Sequence, residues 1–318
     1  MKTKNVGGHH ATPPSTPRSP TSATKAPAPA PAPASPKMTA PPSSPKTGGD
    51  GFKQVTTAPQ AQPTQTKPPG GANVSADFGK NPAGFAAQNV LNAYNASPPS
   101  HLPTPTEGRP FVPAGQSTVT VNAHQRPGGN ANLTFNPAGG QGPQAHYLPY
   151  LPQNGGRFAG ISGVPMHPTA NAPTTIVTGQ LNGCAVHAFH DPKTQTMSFM
   201  HHANFSQNGK QELKDFLGQK ENSHLQHLAT LGPEQYAHPT GKHGIETGAT
   251  AFIHYDKPTR PGAQGQWNIV GQLNDWKSGS GPDGRPDLVR PDFSHFDKDK
   301  KARPPHSLVV PIPLPSAQ

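Results

Sequence analysis

The one cysteine of the chain, Cys184, opens the segment CAVHAFHDPKTQTMSFMH, which ends on His201. A thiol and an imidazole are the two groups of a cysteine nucleophile: the imidazole takes the thiol proton and the sulfur attacks a carbonyl carbon. The pair works only if the chain folds back between them, and Asp191-Pro192-Lys193-Thr194 supplies the fold. Asp suits the first position of a type I turn and Pro the second. Centring a hairpin between Pro192 and Lys193 pairs Asp191 with Thr194, Ala188 with Met197, Val186 with Phe199, and Cys184 with His201. One face then carries Cys184, Val186, Ala188, Met197, Phe199 and His201. The reverse face carries His187, Phe189, Thr196, Ser198 and Met200. A slip of one residue splits the apolar set between the faces, and register follows the hydrophobic face. Directly opposed residues hold their Cβ atoms about 4.5–5.5 Å apart, close enough for a thiolate–imidazolium pair. One extra residue in the turn would put His202 in place of His201.

The residues before the cysteine suit the same chemistry. Leu181-Asn182-Gly183-Cys184 leaves a strand through a glycine, whose backbone can turn the Gly183 and Cys184 amides toward a reacting carbonyl as oxyanion donors. Thr178, six residues upstream, can orient the imidazole.

The order Thr178, Cys184, Asp191-Pro192, His201 resembles the chemoreceptor glutamine deamidase family CheD. The Leu181 to Cys184 element also resembles the catalytic segments of the cytotoxic necrotizing factors and of the Burkholderia lethal-factor deamidase. The likeness spans roughly residues 174–230, and Asn182-Gly183-Cys184 stands where CheD-type proteins usually read Gly-Ser-Cys. It implies a Cys–His hydrolase acting on protein glutamine, with Cys184 as nucleophile, His201 as base, Thr178 as support and no cofactor. It also implies a protein substrate with a reactive glutamine, a host regulatory protein in the toxin-like members. A transglutaminase or protease outcome uses the same pair.

Other chemistries find less support. His187, His190, His201, His202, His224 and His227 lie close in sequence. Strand alternation sends His187 and His190 to opposite faces, and no HExxH or Cys/His framework occurs, so no metal is expected. Asp275, Asp283, Asp287 and Asp292 lack an EF-hand spacing and read as a solvated loop. No GxxxxGK[ST] or GxGxxG phosphate loop is present.

The elements that position the pair follow from pattern. Residues 117–123 alternate as a half-buried strand, and 132–136 and 174–181 read as further strands. The hairpin arms are 185–189 and 196–202. Residues 209–217 space Leu213, Phe216 and Leu217 as a helix, capped by Ser206 or Asn208. Leu225, Leu228 and Leu231 extend a second helical segment up to Gly232-Pro233. Residues 250–255 and 267–273 form another hairpin-like pair. Residues 308–314 read as an edge strand, given their prolines. Residues 139–156 read as loop, and residues 82–96 as a short helix, either docking within the arm or starting the domain, with Pro82 in its first turn and Ser97-Pro98-Pro99 after it. The fold class is α+β: a mixed sheet or β-sandwich over residues 106–318 with one or two short helices.

Composition sets the rest. Pro (44) and Gly (34) make up about a quarter of the 318 residues, and only 30% are hydrophobic, too few to bury a core of full length. Residues 1–105 therefore read as a disordered, Pro-rich basic arm. Over residues 1–110 Lys and Arg number ten against three acids, and 22 of the prolines lie there. KAPAPAPAPASP at 25–36 has polyproline-II composition, suited to a secretion chaperone or an SH3-like partner. The basic residues are spaced and no aromatic residues alternate with them, which disfavours nucleic-acid binding. No apolar run is long enough for a membrane span, and no apolar segment follows the first basic residues as in a cleaved signal. The expectation is a secreted bacterial effector acting in host cytoplasm, or else a protein of the bacterial cytoplasm. The alternative is a non-catalytic Pro-rich scaffold with a structural cysteine.

Overall fold

The computed structural model describes residues 72–93, 99–106, 108–126, 129–150, 156–239, 247–260, 263–277, 287–294, 296 and 305–315. All belong to one unit, Pro63–Gln318. Residues 1–71 of the expected arm lie outside the described residues, as do Ser97, Pro98 and Asp283.

The elements are α1 (Ser75–Lys80), α2 (Pro82–Gln88), β1 (Val90–Asn92), β2 (Phe111–Pro113), β3 (Thr118–Arg126), β4 (Asn130–Pro137), β5 (Gln144–Tyr147) and β6 (Phe158–Pro165). Then follow β7 (Thr175–Leu181), β8 (Ala185–Asp191), β9 (Thr196–His202), α3 (Phe205–Gly218), β10 (Gln226–Leu231) and α4 (Pro233–Tyr236). The last are β11 (Gly248–Asp256), β12 (Gln266–Lys277), β13 (Asp287–Val289) and β14 (Ser307–Pro311). Among the described residues they form two mixed sheets, a nine-stranded one in the order β1-β4-β3-β5-β7-β11-β12-β13 with β14 also on β12, and a five-stranded one in the order β10-β8-β9-β6-β2.

The sheets pack face to face. Ile176, Leu181, Ala251, Ile253, Trp267 and Ile269 of the large sheet meet Ile161, Val186, Ala188, Met197, Phe199 and Leu231 of the small one in a single core. Trp267 is fully buried there, and its indole N–H donates to the Met166 carbonyl at 3.0 Å, so the ring leaves no unmet polar group. The outer face of the large sheet, with Val119, Val121, Leu133, Phe135, Val177 and Phe252, is covered by Phe78 and Phe85 of α1 and α2. The outer face of the small sheet, with Phe189 and Met200, is covered by Phe216 of α3. Central strands of the large sheet are thus buried on both faces.

Several expectations are corrected. The fold begins upstream of residue 106: Phe78, Phe85 and Leu91 are core residues, and β1 pairs with β4 in parallel. Pro82 does open a helix, with Asn81 Oδ1 accepting the Gly84 amide at 2.9 Å, but the helix ends at Gln88 and Val90 and Leu91 enter a strand. Within the expected 139–156 loop, β5 forms a parallel pair with β7. The expected helix at 225–231 is β10: a bulge between His227 and Ala229 displaces Leu228, so a strand mimics helical spacing. Asp275 lies buried in β12 rather than in a solvated loop. Helix α3 starts four residues before the expected 209 and is preceded by Asn204, not capped by Ser206 or Asn208.

Candidate active site

The β8–β9 hairpin is present, with its register moved by two. Val186 opposes His201, Ala188 opposes Phe199, and Asp191 opposes Thr196. The turn takes four residues, Pro192 to Gln195. The Asp191 carboxylate accepts the Lys193 amide at 2.8 Å and the Thr194 hydroxyl at 2.9 Å, and Gln195 closes the loop at φ +54°. Cys184 is therefore diagonal to His201 rather than directly opposite. A two-residue shift preserves the faces, because strand side chains alternate with period two. Cys184 packs on the core between the sheets, and Val186, which opposes His201, belongs to that same core. His202 points to the other side, against α3.

Thr178 does meet His201. Its hydroxyl donates to the Leu148 carbonyl at 2.9 Å, which commits its only proton. The contact at 3.1 Å between Thr178 Oγ1 and His201 Nδ1 must then run from Nδ1–H to the hydroxyl oxygen. The tautomer follows: His201 carries its proton on Nδ1, and Nε2 keeps the lone pair a base needs. The Tyr150 ring packs 6.1 Å from the imidazole. It can do so because Gly179 leaves room; a Cβ there would lie 2.7 Å from the Tyr150 ring. Tyr150 also lines a cleft of about 180 Å³ with Leu102, Pro103, Pro105 and Tyr147, to which Cys184 does not contribute.

Gly183 adopts φ +74°, a left-handed conformation that suits glycine. Its carbonyl accepts the Ser206 amide at 3.1 Å, which ties the cysteine turn to the start of α3. Cys184 is half-buried, and its thiol lies 3.8 Å from the Asn182 carbonyl. Among the described residues no thiol–imidazole hydrogen bond forms. Burial pushes the thiol pKa up, and the backbones of Asn204 and Asn182 oppose that only in part. Burial also holds His201 down to about 3, with the neighbouring His202 adding to the effect. Both shifts favour an uncharged thiol and imidazole over the thiolate–imidazolium pair expected from sequence.

Sequence reasoning missed Tyr236. This fully buried residue of α4 donates its hydroxyl to the Cys184 carbonyl at 2.8 Å, and burial raises its pKa, followed by the nearby Cys184. It sits 52 residues from the cysteine, a distance no local motif spans. Among the described residues, no three His, Cys, Asp or Glu side chains gather where they could hold a metal ion, and no helix is long and apolar enough to cross a membrane.

The buried histidines make stability depend on pH. Burial is the first cause that lowers the pKa of His146, His187, His201, His202, His227 and His254. They stay neutral in the fold and charge in the unfolded chain, so the unfolded state binds more protons below about pH 6.5 and stability falls with pH. For His201 the loss runs down to pH about 3 and amounts to about 5 kcal/mol. The thermal midpoint should therefore drop steadily on acidification from neutral pH; a flat profile would show that these rings are already charged in the fold.

Compared with known proteins, the chain matches no family model and no curated relative.

Proposed function

We propose that this chain is a protein-glutamine deamidase of the Cys–His type, of the kind its motif resembles. The observation that carries the reading is the Leu148–Thr178–His201 chain, which leaves the imidazole lone pair on Nε2, on the face of the hairpin that carries Cys184. Cys184 Sγ attacks the carbon of a glutamine carboxamide while its proton passes to His201 Nε2. The amides of Gly183 and Cys184 are the candidate donors to the oxyanion. When the C–N bond breaks, His201 returns the proton to the leaving nitrogen and ammonia departs. Water then attacks the thioester and gives a proton to His201, the C–S bond breaks, and the thiolate takes that proton back. The product is glutamate, and no cofactor enters. A secreted effector acting on a host protein, with the Pro-rich arm meeting a chaperone or SH3-like partner, is the setting that fits this activity. Ammonia release from glutamine-containing proteins, absent with Cys184→Ser, tests it.

The raised thiol pKa and the missing thiol–imidazole bond favour a second reading, a scaffold with a structural cysteine. That reading predicts no ammonia release at all.

Thr178→Val keeps the shape at this position and removes the hydroxyl. His201 then loses the acceptor that fixes its tautomer. A bond that holds a charged imidazolium contributes about 1.5–3 kcal/mol, so turnover should fall roughly tenfold to a hundredfold. Unchanged turnover would remove Thr178 from the site.

A further inference from the structure

Two fully buried imidazoles lie beneath α3 and take no part in the chemistry above. His187 of β8 and His202 of β9 share a hydrogen bond of 3.3 Å between His187 Nε2 and His202 Nδ1. Such a bond needs a proton on one nitrogen and a lone pair on the other. Glu212 of α3 decides which. Its carboxylate only accepts, so the 2.9 Å contact runs from His202 Nε2–H to Glu212 Oε2. Neutral His202 then keeps its lone pair on Nδ1 and accepts from His187 Nε2–H. His187 Nδ1 in turn accepts from the Thr230 hydroxyl at 2.8 Å, and Thr230 accepts from His227 Nε2–H at 2.8 Å. All four bonds point the same way, from exposed His227 to Glu212.

A proton cannot pass to His202 from Glu212, because the nitrogen that faces the carboxylate already holds one. The rings of Phe158, at 4.4 Å, and Phe205, at 5.1 Å, pack on the imidazole. The His227 end is different. A proton taken by His227 Nδ1 lets Nε2 pass its own to Thr230. Thr230 passes its own to His187 Nδ1, and His187 passes its Nε2 proton to His202 Nδ1. Each group on the way gives one proton and receives one. Three bonds reverse, none is lost, and the charge ends on His202 beside Glu212.

We propose that His227, Thr230 and His187 are an acid-sensing relay that loads one proton onto His202 and turns its neutral bond to Glu212 into an ion pair that fastens α3. Charge-assisted bonds are roughly twice as strong as neutral ones. The same helix holds the Gly183 carbonyl through the Ser206 amide at 3.1 Å, but the relay stands whatever Cys184 does. The titratable and charged groups facing His202 are His187 from β8, Glu212 from α3 and Arg157 from the segment before β6, with His201 beside it on the reverse face. Those facing His187 are His202 and His227 of β10, with His201 again on the reverse face. Burial lowers the pKa of His202 and Glu212 opposes it, whereas burial and the neighbouring imidazoles hold His187 well below its ordinary value. The proton therefore rests on His202, and the relay loads on the acid side of neutral.

Imidazole nitrogen shifts of the isotope-labelled full-length chain read tautomer and charge ring by ring. They are followed by long-range nitrogen–proton spectra from mildly alkaline pH down to the onset of acid unfolding. At the alkaline end His187 and His202 should both carry their proton on Nε2. On acidification His202 should become doubly protonated while His187 moves its proton from Nε2 to Nδ1, with one shared midpoint. Glu212→Gln keeps an acceptor for His202 and removes the charge, so the shared midpoint should fall by about one pH unit, about tenfold in proton affinity. Gln211→Ala should leave it in place, since Gln211 lies on the exposed side of α3 and bonds Asp215. A His187 that keeps its Nε2 proton while His202 charges would overturn the proposal. So would two separate midpoints, a His202 that stays neutral until the chain unfolds, or a midpoint unmoved by Glu212→Gln. If Glu212→Gln fails to fold, the tautomer of His187 in the unaltered chain decides alone. No glutamine substrate is needed, so the absence of ammonia release would count against the deamidase reading and leave this one standing.

Discussion

His201→Ala is expected to lower amide hydrolysis by about a hundredfold to ten-thousandfold, the range that a positioned general base contributes. It should leave no more activity than Cys184→Ala does. His202→Gln should stay within about tenfold of the wild type, because His202 faces α3 from the opposite side of β9 and bonds Glu212 and His187 there. The difference rests on the tautomer. His201 has Nδ1 committed to Thr178 and a lone pair on Nε2, whereas both nitrogens of His202 are engaged. Steady-state rates of ammonia release for the three variants decide it. The reverse ranking would place the base on the outer face of the sheet and remove Thr178 from its role.

The second large effect concerns the fold's beginning. A chain starting at residue 105 should lose cooperative unfolding, while one starting at residue 72 should keep it. Truncation at 105 removes Phe78, Phe85 and Leu91 from the core, roughly 5–9 kcal/mol of apolar burial at about 1.5–3 kcal/mol each. That is comparable with the whole stability of an ordinary domain, about 5–15 kcal/mol. It also strips partners from buried polar groups. Gln272 Oε1 accepts the Leu91 amide at 2.6 Å, its Nε2 donates to the Ala86 and Asn89 carbonyls, and the Thr250 hydroxyl donates to the Leu91 carbonyl at 2.8 Å. Thermal scans of the two chains check this. A sharp transition from residue 105 onward would mean that α1, α2 and β1 are accessory to the sheet.

The hairpin shows what a pattern can and cannot carry. Alternation placed Val186, Ala188, Met197 and Phe199 in the core and put His201 and His202 on opposite faces. It could not separate a two-residue turn from a four-residue one, because the two differ by a full period and bury the same side chains. What decides between them is local: the Asp191 carboxylate satisfies two donors inside the turn and Gln195 accepts a left-handed backbone. The pairing of Thr178 with His201 was legible through a resemblance. Its second half was not, since the Leu148 carbonyl belongs to a segment thirty residues away with no motif of its own. The 73–93 segment was misread because its few apolar residues are scattered among polar ones. Each of Phe78, Phe85 and Leu91 nevertheless finds a place on a face supplied by β3, β4, β11 and β12. Long-range pairing of this kind leaves little local trace, as with β10, whose bulge imitates a helix.

The central claim is that Cys184 and His201 hydrolyse a glutamine side chain. Peptide mass spectrometry of candidate proteins incubated with the full chain tests it most directly, since an amide converted to an acid gains about one dalton at a single residue. The account predicts that gain at a glutamine, with release of one ammonia, and its loss in both Cys184→Ser and His201→Ala. A gain that persists in Cys184→Ser, or a cleaved backbone in place of the converted side chain, would contradict it.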